Sequence, residues 1–358
     1  MEYKIALLPG DGHGVNLIQS VVDILSAIKV RFGHTFKFLN AKIGGDAIDN
    51  TGVSLPQDTV DICKKCDAVF IGSIGGAKWT DNLELDKSRK SIQRLFGALK
   101  MSANITPIIS FESIRANYPL KKQLLKNDIN MYFVSENFAN IVGDRGFKSS
   151  AKQGIQAYDT EIISKNQIEQ LSNIAFDIAK TKKIPIISVD MSDQLESGFL
   201  WRQTVDNFAT QYPSVPYQHM LAQDFVTMLN TQPNKIKLVL TNASLGSLIV
   251  SQAVSITNLS MVATGVIGCK DTINLENAKL GIYGTYNFKC HDNFPNPIGI
   301  VLSIALMLSG SLNLYNESYI LEQSVKQVLK KQKPNFLTKP EYCKNITQQI
   351  ALQIINSV

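Results

Sequence analysis

Residues 189–202 read VDMSDQLESGFLWR, the pattern of an active-site rim with one part exchanged. Where a proton-transferring side chain would be expected, Met191 offers a thioether that transfers no proton. At Gly10–Gly14 the run GDGHG sits on a strand-to-helix turn, whose backbone N–H groups could cradle a phosphate. It is neither a Walker loop nor the spaced dinucleotide fingerprint, so a tight turn explains it about as well. Arg89, Lys90, Arg94 and Lys100 could draw an anion into a cleft, and a solvated helix face accounts for them equally. Cys63 and Cys66 form CKKC inside a helix-like segment with no second pair nearby, so neither a zinc site nor a redox motif is expected there. His13, His34, His219 and His291 are not spaced as a metal set, and His219, in YQHML, reads as a structural hydrogen-bonding residue.

The elements that must position these groups alternate between strand and helix. KIALLPGDG is an apolar run closing on glycines, VNLIQSVVDILSAIKVRF has helical periodicity, and FKFLNAKIGG and DAVFIGSIGG read as further strands. Strands joined through helices imply parallel pairing, with ligand sites at their carboxyl ends. Between residues 100 and 250 the texture changes. NMYFVSENF and the polar GDRGFKSSAKQGIQAYDTEII suggest strands that leave the sheet, followed by an amphipathic helix, QIEQLSNIAFDIAKTKK, and a buried strand, IPIISVD. The apolar IGIVLSIALMLSG reads as a buried core helix.

With 358 residues the chain is long enough for two domains, and 44% hydrophobic against 18% charged residues marks it as globular rather than disordered. A net charge of +6 from scattered Lys and Arg gives no nucleic-acid track. No apolar run reaches the length of a membrane span. Strand-like sequence begins at once, so no secretory or transit peptide is expected. Five spread cysteines make no disulfide framework and fit a reducing cytoplasm.

Taken in order, LPGDGHG, IGGDAIDNTGVSLPQDT, DAVFIGSIGGAKW, VDMSDQLESGFLWR, YQHML and NPIGIVLSIALML resemble the 3-isopropylmalate dehydrogenases of the β-decarboxylating dehydrogenase family, from about residue 3 to 330. GGAKW and LESGFLWR point to the isopropylmalate branch rather than the isocitrate one. The resemblance implies two α/β domains sharing a sheet: 1–98 plus 252–358 as a discontinuous dinucleotide-type domain, and 99–251 with a dimerisation arm. It also implies a homodimer whose partner completes the site, with NAD oxidising a hydroxy acid and Mg2+ or Mn2+ stabilising the enolate left by decarboxylation.

Slot by slot, the family's residues are exchanged in this chain. Met191 takes the place of the catalytic lysine and Val142 that of the tyrosine. The three metal-binding aspartates correspond to Gln223, Ser247 and Ser251. The substrate arginines correspond to Phe96, Thr106 and Ser135, and Arg89 replaces the glutamate beside the nicotinamide. In the adenosine loop Tyr283 and Phe288 stand for a histidine and the ribose-binding aspartate, whereas Gly284, Thr285 and Asn296 persist. With Gly75 and Gly76, Gly284 and Asn296 are the remaining cofactor candidates. Trp79 and Trp201 read as packing anchors. The leading expectation is a catalytically degenerate member with a binding or regulatory role, as a homodimer or in a heteromer with an active paralogue. The alternative is an active NAD-dependent 3-isopropylmalate dehydrogenase of leucine biosynthesis.

Overall fold

The computed structural model describes residues 1–75, 77–79, 87–111, 129–137, 142–150, 152–257, 263–268, 280–285, 297–332 and 340–357. The first strand, β1 (Glu2–Gly10), leads into α1 (Gly14–Phe32). Leu17, Val21, Ile24, Leu25 and Ile28 recur at helical spacing along α1 and are buried, each worth about 1.5–3 kcal/mol on removal from water. The helix stops where Gly33 takes a left-handed φ of 75° and its N–H caps the Lys29 carbonyl. The chain continues through β2 (Thr35–Asn40), α2 (Gly45–Thr51), α3 (Gln57–Lys64), β3 (Ala68–Ser73) and α4 (Lys87–Ala98).

Two long strands follow, β4 (Met101–Ile109) and β5 (Asn130–Glu136), then the hairpin pair β6 (Val142–Ser150) and β7 (Gly154–Glu161). Next come α5 (Lys165–Lys182), β8 (Ile186–Asp190), α6 (Glu196–Ala209), β9 (Tyr217–Leu221), α7 (Ala222–Thr231), β10 (Leu238–Thr241) and α8 (Ala243–Thr257). The chain returns through β11 (Thr264–Gly268), β12 (Gly281–Gly284), α9 (Pro297–Gly310), α10 (Tyr315–Lys330) and α11 (Pro340–Asn356). Helix α5 begins with a capping box in which Ser164 and Gln167 satisfy each other's backbone N–H, an arrangement worth about 1 kcal/mol.

Among the described residues one sheet runs through ten strands in the order β2-β1-β3-β12-β11-β4-β5-β10-β8-β9. Its two flanks are parallel, as βαβ alternation requires. The middle is not: β12–β11, β11–β4 and β4–β5 pair antiparallel, so the expectation of parallel pairing fails at this central seam. NMYFVSE also departs from expectation, because β5 stays in the sheet between β4 and β10. The reason is its burial on both faces: Met131 and Phe133 join the cluster containing Ile249 and Ala253 of α8, and Tyr132 and Val134 the cluster containing Leu171 and Ala175 of α5. Among the described residues β6 and β7 alone leave, forming a separate two-stranded ribbon. Helix α9 is the buried core helix anticipated, and no helix among the described residues is long and apolar enough to cross a membrane.

Candidate functional site

The carboxyl ends of β5, β10 and β8 lie side by side, where an open α/β sheet places its ligands. They carry Glu136, Thr241, Asn242, Asp190 and Met191. At the end of β8, Asp190 is buried and receives Arg202 of α6 through a two-pronged contact, Nε to Oδ2 at 3.1 Å and a terminal nitrogen to Oδ1 at 2.9 Å. His219 of β9 lies 3.7 Å from the same carboxylate, and its Nε2 is 2.9 Å from Asp206. The Tyr217 hydroxyl donates to Asp206 at 2.8 Å. Burial pushes the Asp206 carboxyl up, but hydrogen bonds from His219 and Tyr217 outweigh it and hold it below the usual carboxylate range. The VDM, LWR and HML segments thus converge on one ionic pin that fixes α6 and β9 to β8.

Met191 follows directly. It is half-buried, and its carbonyl accepts from the Gln194 and Leu195 N–H groups. A Cβ at Gly198 would lie 2.7 Å from the Met191 carbonyl carbon, so the glycine lets α6 rest on this turn. The cavity bounded by Met191, Leu195, Trp201, Asn242 and Ile163 measures about 10 Å3, room for about one water. Trp201 is buried and donates its indole N–H to Ser188 at 3.0 Å. Met191 therefore meets packed side chains.

The three positions assigned to metal lie nearby on α7 and α8. Gln223 is exposed, its amide 3.4 Å from Asp193 on the turn after Met191. Ser247 and Ser251, four apart on α8, are both exposed, and their hydroxyls donate back to the Ser244 and Ser247 carbonyls at 3.1 and 2.8 Å. Among the described residues no group of three or more His, Cys, Asp or Glu gathers as a metal ion would need.

Of the positions assigned to substrate, Thr106 and Ser135 lie on adjoining strands. Ser135 pairs with Asn104, two residues from Thr106, and both are buried. Ser135 packs against α8: a Cβ on Gly246 would lie 2.6 Å from the Ser135 Cβ. Phe96 lies elsewhere, in the core cluster of α4 with Leu95, Leu99 and Met101. Val142 opens β6 opposite Glu161, and Arg89 lies on α4 with Lys90 and Arg94, the latter two exposed. The side chains of Val142 and Arg89, and all of Gly76, Phe288, His291 and Asn296, lie outside the described residues.

The glycine loop binds inward. Asp11, buried within GDGHG, accepts the N–H of Gly45 at 3.0 Å and of Gly75 at 2.7 Å on one oxygen, and that of Asp46 at 2.7 Å on the other. Gly10 has a φ of 68°, and a Cβ there would fall 2.1 Å from the Ser73 carbonyl oxygen. The loop is a clamp joining three turns, and the Gly75 N–H, a cofactor candidate, is already engaged by it. Trp79 lies against Gly45, where an added Cβ would be 2.3 Å from the indole. At the end of β12, Gly284 and Thr285 are buried, and the Gly284 carbonyl accepts from Ser303 at 3.0 Å. Tyr283 turns into the core and its hydroxyl meets Ser311 at 2.7 Å. Cys63 and Cys66 are buried free thiols, and burial, with Cys66 adding to it, pushes Cys63 up to about 12, far from the thiolate that redox chemistry needs.

Glu136 was not singled out by sequence reasoning, nor were Asp11, Arg202 or Asp206. Both carboxyl oxygens of Glu136 are buried, with no hydrogen-bond partner among the described residues. Burial, and then the neighbouring Glu161 carboxylate, raise its pKa to about 7. A side chain of this kind exchanges a proton near neutrality, here from a buried place at the end of β5. The signal available was a charged residue, in SENF, closing an apolar strand.

The profile of the isocitrate/isopropylmalate dehydrogenase family matches residues 4–350. This chain belongs to that family. It is 33% identical to 3-isopropylmalate dehydrogenase of Clostridium acetobutylicum over 92% of this chain and 91% of the relative. With the Bacillus subtilis 3-isopropylmalate dehydrogenase the identity is 32% over 92% and 90%. Among solved structures, the isocitrate dehydrogenase of Methylococcus capsulatus superposes with a TM-score of 0.78 at 19% identity, over 99% of this chain and 100% of that one. A β-decarboxylating dehydrogenase of Thermococcus kodakarensis gives 0.77 at 19% identity, over 98% and 96%. The isopropylmalate/isocitrate dehydrogenase-like fold holds across the chain.

Proposed function

We propose that this family member has given up metal-dependent oxidative decarboxylation and keeps its body for binding or regulation in the cytoplasm. The observation that carries this reading is the donor set at the metal positions. Gln223, Ser247 and Ser251 supply an amide and two hydroxyls, and both hydroxyls donate to helix carbonyls. A dication leaving water needs anionic ligands to offset its desolvation, so these residues do not fit a resident Mg2+ or Mn2+. Met191 moves no proton, and the engaged Gly75 N–H leaves one fewer donor for the NAD that the family uses.

The working form is a homodimer or a heteromer with an active paralogue. Phe147 and Ile155 on the β6–β7 ribbon are each 80% exposed and Leu248 on α8 is 71% exposed; this apolar surface supports a subunit contact. The test is NADH production from 3-isopropylmalate with Mg2+ or Mn2+. No turnover above a Met191→Ala control is expected, together with a second gene in the same genome that keeps the lysine and aspartates. The 33% identity to a relative named 3-isopropylmalate dehydrogenase favours a second reading, an active enzyme of leucine biosynthesis. Metal-dependent turnover well above the control would establish it.

A further inference from the structure

A cavity of about 140 Å3 opens between α5 and the C-terminal end of α9, over β4, β5, β11 and β12. It shares no lining residue with the space beside Met191, Leu195 and Asn242. Ile105, Ile174, Ile178, Ile267 and Leu306 form its wall. Two glycines face this lining. A Cβ on Gly265 would stand 2.9 Å from the Tyr283 ring and 3.6 Å from Leu306, and one on Gly310 would stand 3.5 Å from Ile267. Water gains few hydrogen bonds against five aliphatic side chains, and the volume is close to the roughly 150 Å3 of a dry protein cavity that takes up benzene.

The polar groups at the opening already have partners within the chain. Asp177 accepts from the Tyr212 hydroxyl at 2.9 Å. Lys182 hydrogen-bonds Tyr132, with the Glu322 carboxylate close enough to act on it. Ser309 donates to the Ala305 carbonyl at 3.0 Å, and the Tyr283 hydroxyl meets Ser311 at 2.7 Å. An anionic ligand would approach Asp177 and Glu322 and would have to draw Lys182 from its present contacts, and a cationic one would approach Lys182. Either charge would also leave water for an aliphatic wall without a dedicated counter-ion. The occupant that fits is therefore uncharged.

Its shape follows from volume and entropy. A flexible chain of the same size loses internal rotations on entry, whereas a single ring has none to lose. The rings of Tyr132 and Tyr283 also border the space, and aromatic pairs gain beyond the area they bury. We propose that this cavity is a binding site for an uncharged molecule of one aromatic ring, held among Ile105, Ile174, Ile178, Ile267 and Leu306. Such an occupant fills the gap between α5 and α9 and stabilises the arrangement of the two helices.

The probes are toluene, benzoate and benzylamine, which share a ring and differ in charge, and hexanol, which is uncharged and flexible. Calorimetric titration of the full chain is expected to show one saturable toluene site at sub-millimolar concentration, at least tenfold tighter than any of the other three. Ile178→Trp, which fills the cavity from a half-buried position, abolishes binding. Leu306→Ala, also from a half-buried position, enlarges the cavity and shifts preference at least tenfold toward the two-ring naphthalene, so the location stays testable if Ile178→Trp does not fold. No saturable toluene binding overturns the site. Toluene binding unchanged in both variants overturns its location. Tighter binding of benzoate or benzylamine overturns the uncharged class, and hexanol binding as tightly as toluene overturns the ring.

Discussion

Replacing Glu136 with Gln keeps the shape of the side chain and removes its ionisation. In the folded chain the carboxyl keeps its proton up to about pH 7, whereas an ordinary glutamate releases it near 4.5. Between those values the folded state binds more protons than the unfolded one, so stability falls as pH rises from about 4.5 through 7. Below the unfolded value the folded chain bears no cost from this group, and above pH 7 it bears all of it. At about 1.4 kcal/mol per pH unit, that gap amounts to about 3 kcal/mol. Glu136→Gln should therefore be more stable than the parent by about 3 kcal/mol at pH 8 and by less than about 1 kcal/mol at pH 5. Urea unfolding of both proteins at the two pH values measures the difference. A difference that stays flat between pH 5 and pH 8 would refute the assignment of a buried, unpartnered carboxyl beside Glu161.

Other substitutions test the packing around the cleft. Arg202→Met leaves the buried Asp190 without its two-pronged partner and should cost about 2–3 kcal/mol by denaturant titration; a loss under about 0.5 kcal/mol would make the pin ornamental. Asp11→Ala strands the N–H groups of Gly45, Asp46 and Gly75 and should cost about 3 kcal/mol, with hydrogen exchange at those three amides rising first. Gly246→Ala drives a methyl to 2.6 Å from the Ser135 Cβ and should cost about 1–3 kcal/mol. Ser135→Gly in the same chain should recover part of that loss, the coupling expected of residues in contact.

What was legible in the sequence was whatever local pattern dictates. The apolar spacing of α1, the amphipathic pattern of α5 and the apolar run of α9 each announce an element without reference to the rest of the chain. The antiparallel seam was not legible, because seating β11 against β4 joins segments about 160 residues apart, which no window of sequence displays. In the cleft, the spacing of Ser247 and Ser251 on one helix face could be read directly. That Asp11 turns inward, and that Glu136 keeps both oxygens buried, could not. A carboxylate in a glycine-rich loop looks the same in sequence whether it faces a ligand or three backbone amides, and only the fold decides. His219 is the intermediate case: its motif marked it as structural, but its partner Asp206 lies thirteen residues earlier on another element.

The central claim, that the positions assigned to metal hold no dication, is tested most directly by titrating the purified chain with Mn2+ and following free ion by electron paramagnetic resonance, in the presence and absence of 3-isopropylmalate. The account predicts no saturable binding into the millimolar range, and its appearance in a Gln223→Asp, Ser247→Asp, Ser251→Asp triple variant. One Mn2+ bound per parent chain at micromolar affinity, and lost when Gln223, Ser247 and Ser251 are replaced by alanine, would contradict it.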